Sequence, residues 1–252
     1  MKMPTLSKNQ WMWIGITYII YGFMMGWPLA AAVVFTIGFH EYCHLTMAAK
    51  LGMKTQGFIL IPFVGGMAFV PSGYKTLWNQ AQVVFAGPLG GGLMSFITLG
   101  VSFLVGSPFL GAVAFWMGVL NLFNLFPISF MDGGQLMNTI TYSINRKMGL
   151  YLMVASTVIG TLGIACINPI LSAFVFIFGF AHCRREYNNQ KNMELGKSWL
   201  CTPDFLNKPF PMDKKEITKV SLIWSSSILI LGTYCFFLYH SPLSNLSTLL
   251  AR

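Results

Sequence analysis

The sequence predicts an all-α polytopic membrane protein of about six to seven transmembrane helices with one short re-entrant hairpin. Three observations predict it. Of 252 residues, 55% are hydrophobic and only 9% charged, against about 25% charged in ordinary soluble domains. The apolar residues fall in long runs separated by clusters of charge such as Arg184-Arg185 and Lys214-Lys215. The lysines and arginines also divide unequally between the loops on the two sides of the predicted spans.

The spans are read at 11–27, 28–50, 81–105, 109–127, 149–166, 169–183 and 220–240, since crossing a bilayer as a helix takes about 20 apolar residues. Trp27-Pro28 separates the first two, because proline disfavours helix at the residue before it and is accepted at a helix start. Ser107-Pro108 and Asn168-Pro169 mark similar turns. The segment 169–183 is short for a full crossing. With seven crossings and a cytosolic N-terminus, fifteen of the sixteen Lys and Arg lie on the inner side and only Arg252 outside, the asymmetry of the positive-inside rule. Residues 55–75 do not read as a span: Gly57, Pro62, Gly65, Gly66, Pro71 and Gly73 break them into short runs. Such a hairpin is tolerated at membrane depth only against protein or a wet cavity. The chain thus divides into a first span, 1–27; a central region, 28–148, holding a helix, the hairpin 55–75, two spans and an Asp-Gly-Gly segment; accessory spans, 149–183; a basic cytosolic loop, 184–219; and a last span with its tail, 220–252.

The net charge of +9 fits orientation in a bilayer and contact with acidic lipid headgroups. It does not indicate nucleic-acid binding, which needs a basic stripe on a folded soluble surface. Five scattered cysteines, Cys43, Cys166, Cys183, Cys201 and Cys235, form no disulfide framework or paired metal-binding spacing. Lys2 and Lys8 ahead of an apolar stretch raise a cleavable signal peptide with Ala30 to Ala32 as its site. Cleavage there would cut into the second span, so an uncleaved first span is expected.

Five of the seven acidic residues lie in 184–219; the other two, Glu41 and Asp132, lie within or beside apolar helices. Ionisable groups at that depth cost roughly 2.5 kcal/mol or more and are functional candidates by default. Glu41 stands in His40-Glu41-Tyr42-Cys43-His44. On a helix, i and i+4 share a face, so His40 and His44 can offer two nitrogens to one metal. Glu41, one residue round, can accept a proton from water at that metal. The bland alternative is a chance match with polar packing residues, but two histidines and a glutamate in lipid need a reason. A catalytic zinc takes about three protein ligands, and Asp132 is the best third candidate. Spans 28–50 and 109–127 run the same way, carrying HEYCH and Asp132 to the cytosolic side. Taken alone, Asp132-Gly133-Gly134 reads rather as an N-cap or turn entering a helix, and it is the presence of HEYCH that favours the ligand reading. Cys43 reads as a small hydrophobe, and His182 and His240 as interfacial residues. Asn124 and Pro127 alone read as a helix end.

Phe39 to His44, together with Asn124-Leu125-Phe126-Pro127-Ile128-Ser129-Phe130-Met131-Asp132-Gly133-Gly134 and Phe85-Ala86-Gly87-Pro88-Leu89, resembles the site-2 protease family of intramembrane zinc metalloproteases (peptidase family M50). The resemblance covers about 28–148. It implies one Zn2+ per chain held by His40, His44 and Asp132, with Glu41 as general base and Asn124 near the substrate. It also implies a transmembrane protein as substrate, cleaved near the cytosolic side, and a bacterial cytoplasmic membrane as location. Two departures stand out. Tyr42-Cys43 replaces the Leu-Gly often found between the histidines, and Gly90 to Gly92 stand where the family often has an Asn.

The rival expectation is a non-hydrolytic membrane protein, either a metal transporter or an inactive protease-like scaffold. A transporter would spread ionisable residues over several spans, whereas here they sit at one level. An inactive scaffold would have lost Glu41 or a ligand.

Overall fold

A computed structural model describes residues 6–63, 65–166, 169–194 and 210–241. Residues 1–5, Val64, Ile167, Asn168, 195–209 of the basic loop and 242–252 lie outside the described residues. The chain forms two compact units, and it passes from one to the other within helices as well as between them.

The first unit holds Met1–Pro71, Phe85–Asn124 and Ser225–Arg252. Helix α1 (Lys8–Met25) starts at a capping box: the Gln10 amide N–H donates to Ser7 Oγ at 3.4 Å, and the Ser7 N–H donates to Gln10 Oε1 at 2.8 Å. Gly26 breaks the chain at φ 85°, a conformation glycine adopts without strain. Helix α2 (Trp27–Lys50) then begins with Pro28 in its first turn.

Strands β1 (Phe58–Ile61) and β2 (Gly65–Ala68) pair antiparallel, Phe58 opposite Ala68 and Leu60 opposite Gly66. The two strands form a hairpin within the segment read at 55–75. One face of α1 holds it by three buried polar side chains. Gln10 Nε2 donates to the Gln56 carbonyl at 2.6 Å, Thr17 Oγ1 to the Leu60 carbonyl at 3.1 Å, and the Phe63 N–H donates to the Tyr21 hydroxyl at 2.9 Å. Positions 10, 17 and 21 follow the helical period, so one stripe meets the strand in register. Beneath it, Leu45, Phe58 and Leu60 form a buried cluster with Ile14, Val34 and Ile37.

Helix α3 (Leu77–Val105) carries Pro88 in its interior, and α4 (Pro108–Asn124) follows after Gly106 at φ 63°. Ser95 donates to the Ala114 carbonyl at 2.6 Å and lies 2.9 Å from the Tyr234 hydroxyl. That contact joins α3, α4 and the C-terminal part of α8 (Lys214–Tyr239), where Phe115, Tyr234, Cys235 and Leu238 are buried together.

The second unit holds Ser72–Val84 and Leu125–Trp224, with α5 (Asp132–Ile144), α6 (Arg146–Ala165) and α7 (Pro169–Glu194). Asn145 caps α6, its Oδ1 accepting from the Lys147 and Met148 N–H groups at 2.9 and 3.4 Å. Thr157 on α6 donates to Ser129 Oγ at 2.9 Å. The Phe210 carbonyl accepts the Leu77 N–H at 2.9 Å, so the segment returning from the basic loop anchors the start of α3.

Two boundaries differ from expectation. The span read at 169–183 continues as helix to Glu194, because no Gly or Pro interrupts 181–194 and a helix needs no apolar surface once it leaves lipid. The last helix begins at Lys214 rather than 220. Asp213 and Glu216 form its N-terminal box: the Glu216 N–H donates to Asp213 Oδ1 at 2.7 Å, and the Asp213 N–H to Glu216 Oε2 at 3.1 Å.

Among the described residues, three helices are long and apolar enough to cross a membrane: Leu77–Val105, Lys147–Ala165 and Lys214–Tyr239; Pro108–Asn124 is a shorter apolar helix. Their outer faces expose large apolar side chains such as Leu104 (87%), Ile159 (70%) and Leu229 (70%). Surface of that kind suits lipid and would be unfavourable in water. The protein is a multi-pass helical membrane protein.

Candidate metal centre

Helix α2 places His40, Glu41 and His44 on its buried face; they are 5, 7 and 7% exposed. The two imidazoles, one turn apart, meet edge to face with ring centroids 4.7 Å apart, and their Nε2 atoms face each other at 3.0 Å. A tetrahedral zinc with Zn–N bonds of about 2.0–2.1 Å holds two ligand nitrogens about 3.3 Å apart. The pair fits a metal with a shift of only a few tenths of an ångström.

Three glycines bring backbone against this cluster. A Cβ at Gly87 on α3 would overlap the His44 ring and come within 2.6 Å of His40 Nε2. A Cβ at Gly66 on β2 would overlap the Glu41 side chain, 2.6 Å from its Cδ. A Cβ at Gly90 would meet the Cys43 sulfur, so Cys43 is a packing residue against α3, as expected of a small hydrophobe. Where Ala86-Gly87-Pro88 read only as a similarity of sequence, the reason for the glycine is now plain: the α3 backbone forms a wall of the histidine pair.

Asn121 on α4 was not anticipated. It is 1% exposed, its Oδ1 lies 2.8 Å from His40 Nδ1, and its Nδ2 donates to the Met117 carbonyl at 2.7 Å. A Cβ at Gly91 would sit 2.5 Å from the Asn121 Cγ and Nδ2. The amide thus fills space beside the Gly90 to Gly92 stretch, where an Asn was missing from the family pattern. The sequence signal was a second amide in an apolar helix, three residues before Asn124. Asn124 itself is half-buried at the last residue of α4.

Asp132 belongs to the second unit. It is the first residue of α5, 8% exposed, behind Met131 as N-cap. It is not the capping residue that its Asp-Gly-Gly context allowed. Gly133 and Gly134 let the helix start against backbone: a Cβ on either would overlap the carbonyls of Leu125 or Ile128. In the loop before α3, burial and then the Asp132 charge push the Tyr74 hydroxyl up to about 12, so Tyr74 stays a neutral phenol at physiological pH.

A multi-pass helical protein with a buried His-Glu-x-x-His helix is the class that fold and site define. No family model matches the chain. It is 29% identical over 213 residues to a Synechocystis sp. protein provisionally named a zinc metalloprotease, covering 77% of this chain and 52% of that one. It is 28% identical over 170 residues to a zinc metalloprotease of Methanocaldococcus jannaschii, covering 60% and 48%. The chain therefore spans about half the length of these curated relatives. Among solved structures it is similar to the site-2 protease from Methanocaldococcus jannaschii, with a TM-score of 0.51 and 23% identity over 69% of this chain and 88% of that one. The likeness to the site-2 protease is one of fold, and the likeness in sequence is to proteins named zinc metalloproteases.

Proposed function

We propose that the protein is an intramembrane zinc metalloprotease that hydrolyses peptide bonds of transmembrane protein substrates near the cytosolic side of the bilayer. One observation carries the reading: two imidazole nitrogens 3.0 Å apart on the buried face of α2, with a buried carboxylate at the next residue. The relatives named as zinc metalloproteases support it.

His40 and His44 would hold zinc through Nε2, with the Asp132 carboxylate as third ligand; its support is the family motif and the burial of an acidic side chain. When bound, zinc polarises a carbonyl and lowers the pKa of water to about 7. Glu41 takes a proton from the attacking water as the new C–O bond forms. It passes that proton to the amine as the C–N bond breaks. Asn124 would donate from its amide to the carbonyl oxygen as negative charge grows there. Burial of the site excludes bulk water and strengthens each of these interactions.

In the same reading the chain crosses a bacterial cytoplasmic membrane about six to seven times with its N-terminus in the cytosol. The hairpin is re-entrant, and 28–148 is the catalytic core with 149–183 accessory.

The test is purified protein in detergent, with bound metal quantified and cleavage of a single-span substrate compared between wild type and Glu41→Gln. About one zinc per chain is expected in both, with cleavage down by about 10²- to 10⁴-fold in the variant, the range a general base supplies. Equal cleavage by both removes Glu41 from the mechanism. A zinc-loaded wild type that cleaves nothing favours the non-hydrolytic rival.

A further inference from the structure

Asn121 lies on α4, and its amide makes two contacts whose chemistry fixes the protonation of His40. The Met117 carbonyl can only accept, so the atom 2.7 Å from it must be the amide nitrogen. The other end of the amide, Oδ1, therefore faces His40 Nδ1 at 2.8 Å. An amide oxygen only accepts, so His40 Nδ1 must carry the hydrogen. A neutral imidazole protonated at Nδ1 has its lone pair at Nε2, the atom that faces His44. The Gly91 backbone closes one side of the amide, since even a Cβ there would overlap it. With 1% exposure, no bulk water reaches the amide to compete.

We propose that Asn121 is a positioning residue for the histidine pair, its wedged amide holding His40 in the Nδ1–H tautomer so that Nε2 is the donor presented to a metal. The proposal rests on the reading of His40 as a metal donor in its consequence for zinc, but not in the tautomer itself. The alternative for a buried amide is packing, in which its only task is to satisfy Met117. Outer partners that fix a ligating histidine's tautomer and ring orientation are typically worth about 10- to 100-fold in metal affinity.

The experiment uses full-length protein in micelles with 15N-labelled histidine. Long-range 1H–15N correlation reads the tautomer of His40 without metal, assigned by loss of its signals in His40→Gln. Chelator competition reads zinc affinity. Wild type is expected to show Nδ1–H. Asn121→Leu, similar in size but unable to accept, is expected to shift His40 towards Nε2–H and weaken zinc binding about 10- to 100-fold. Asn121→Asp, which still accepts at Nδ1, is expected to keep the wild-type tautomer and lose much less affinity. A wild-type His40 protonated at Nε2 overturns the proposal, and that result needs no variant to fold. So does an Asn121→Leu protein with unchanged tautomer and affinity. Should that variant not fold, Asn121→Ser, too short to reach His40, decides in its place by the same readings. A wild type with the expected tautomer that binds zinc and cleaves nothing defeats the protease reading and leaves this one standing.

Discussion

Replacing Gly87 with alanine tests the wall that α3 presents to the histidines. The added Cβ would lie 2.6 Å from His40 Nε2, where ordinary contact begins at 3.4 Å, so about 0.8 Å must come from movement of a ring or of the helix. The His44 ring is met on the same side, and neither imidazole can retreat without turning its nitrogen. Metal–ligand distances tolerate about ±0.2 Å, roughly a quarter of the displacement required. Zinc affinity is expected to fall at least about 10-fold. Cleavage is expected to fall about 100-fold, the usual cost of a 1 Å misplacement at a reacting centre. Chelator competition and cleavage of a single-span substrate measure the two effects. The control lies in the same helix: a Cβ at Gly100 meets nothing within 4 Å, and Gly100→Ala should leave both readings at wild-type values. Gly87→Ala behaving like Gly100→Ala would refute the close approach of α3 to the site.

Two further perturbations address other parts of the same unit. Gly66→Ala on β2 would press first on the Glu41 side chain, whose atoms are the three nearest to the added Cβ, so zinc stoichiometry should persist while kcat drops about 10-fold or more; metal content and cleavage rate measured on one preparation separate the two. Thr17→Val, close in shape, strips the donor from the buried Leu60 carbonyl, a loss of about 1–3 kcal/mol. Amide exchange across 56–69 should quicken about 5- to 100-fold while 85–105 stays unchanged; uniform exchange rates in wild type and variant would refute the role of Thr17.

The paired histidines were legible in the sequence because helical spacing alone puts i and i+4 on one face. No knowledge of the remaining fold was needed. Asn121 was not legible, because its meaning depends on how α4 docks on α2 and on a glycine at 91 that leaves room for its amide. Gly66 shows the same limit: in a glycine-rich stretch it reads as turn punctuation, whereas its use is the approach of β2 to Glu41. The last helix starts ahead of the span read from hydropathy for a different reason. Hydropathy marks where a helix enters lipid, while the Asp213–Glu216 box marks where the helix begins, and these differ by six residues. Asp132 was readable as a candidate from its charge in an apolar region, but spacing alone could not separate a ligand from a turn residue.

The stripe of Gln10, Thr17 and Tyr21 on α1 has a bearing on the hairpin as a whole. A two-stranded ribbon standing alone leaves backbone groups on both outer flanks to be met by solvent or by another strand. Here a helix supplies side-chain hydroxyls and an amide where a third strand would have supplied its main chain. The β1 flank is thereby met by side-chain chemistry rather than by pairing, whereas β2 has no sheet neighbour on its far side among the described residues.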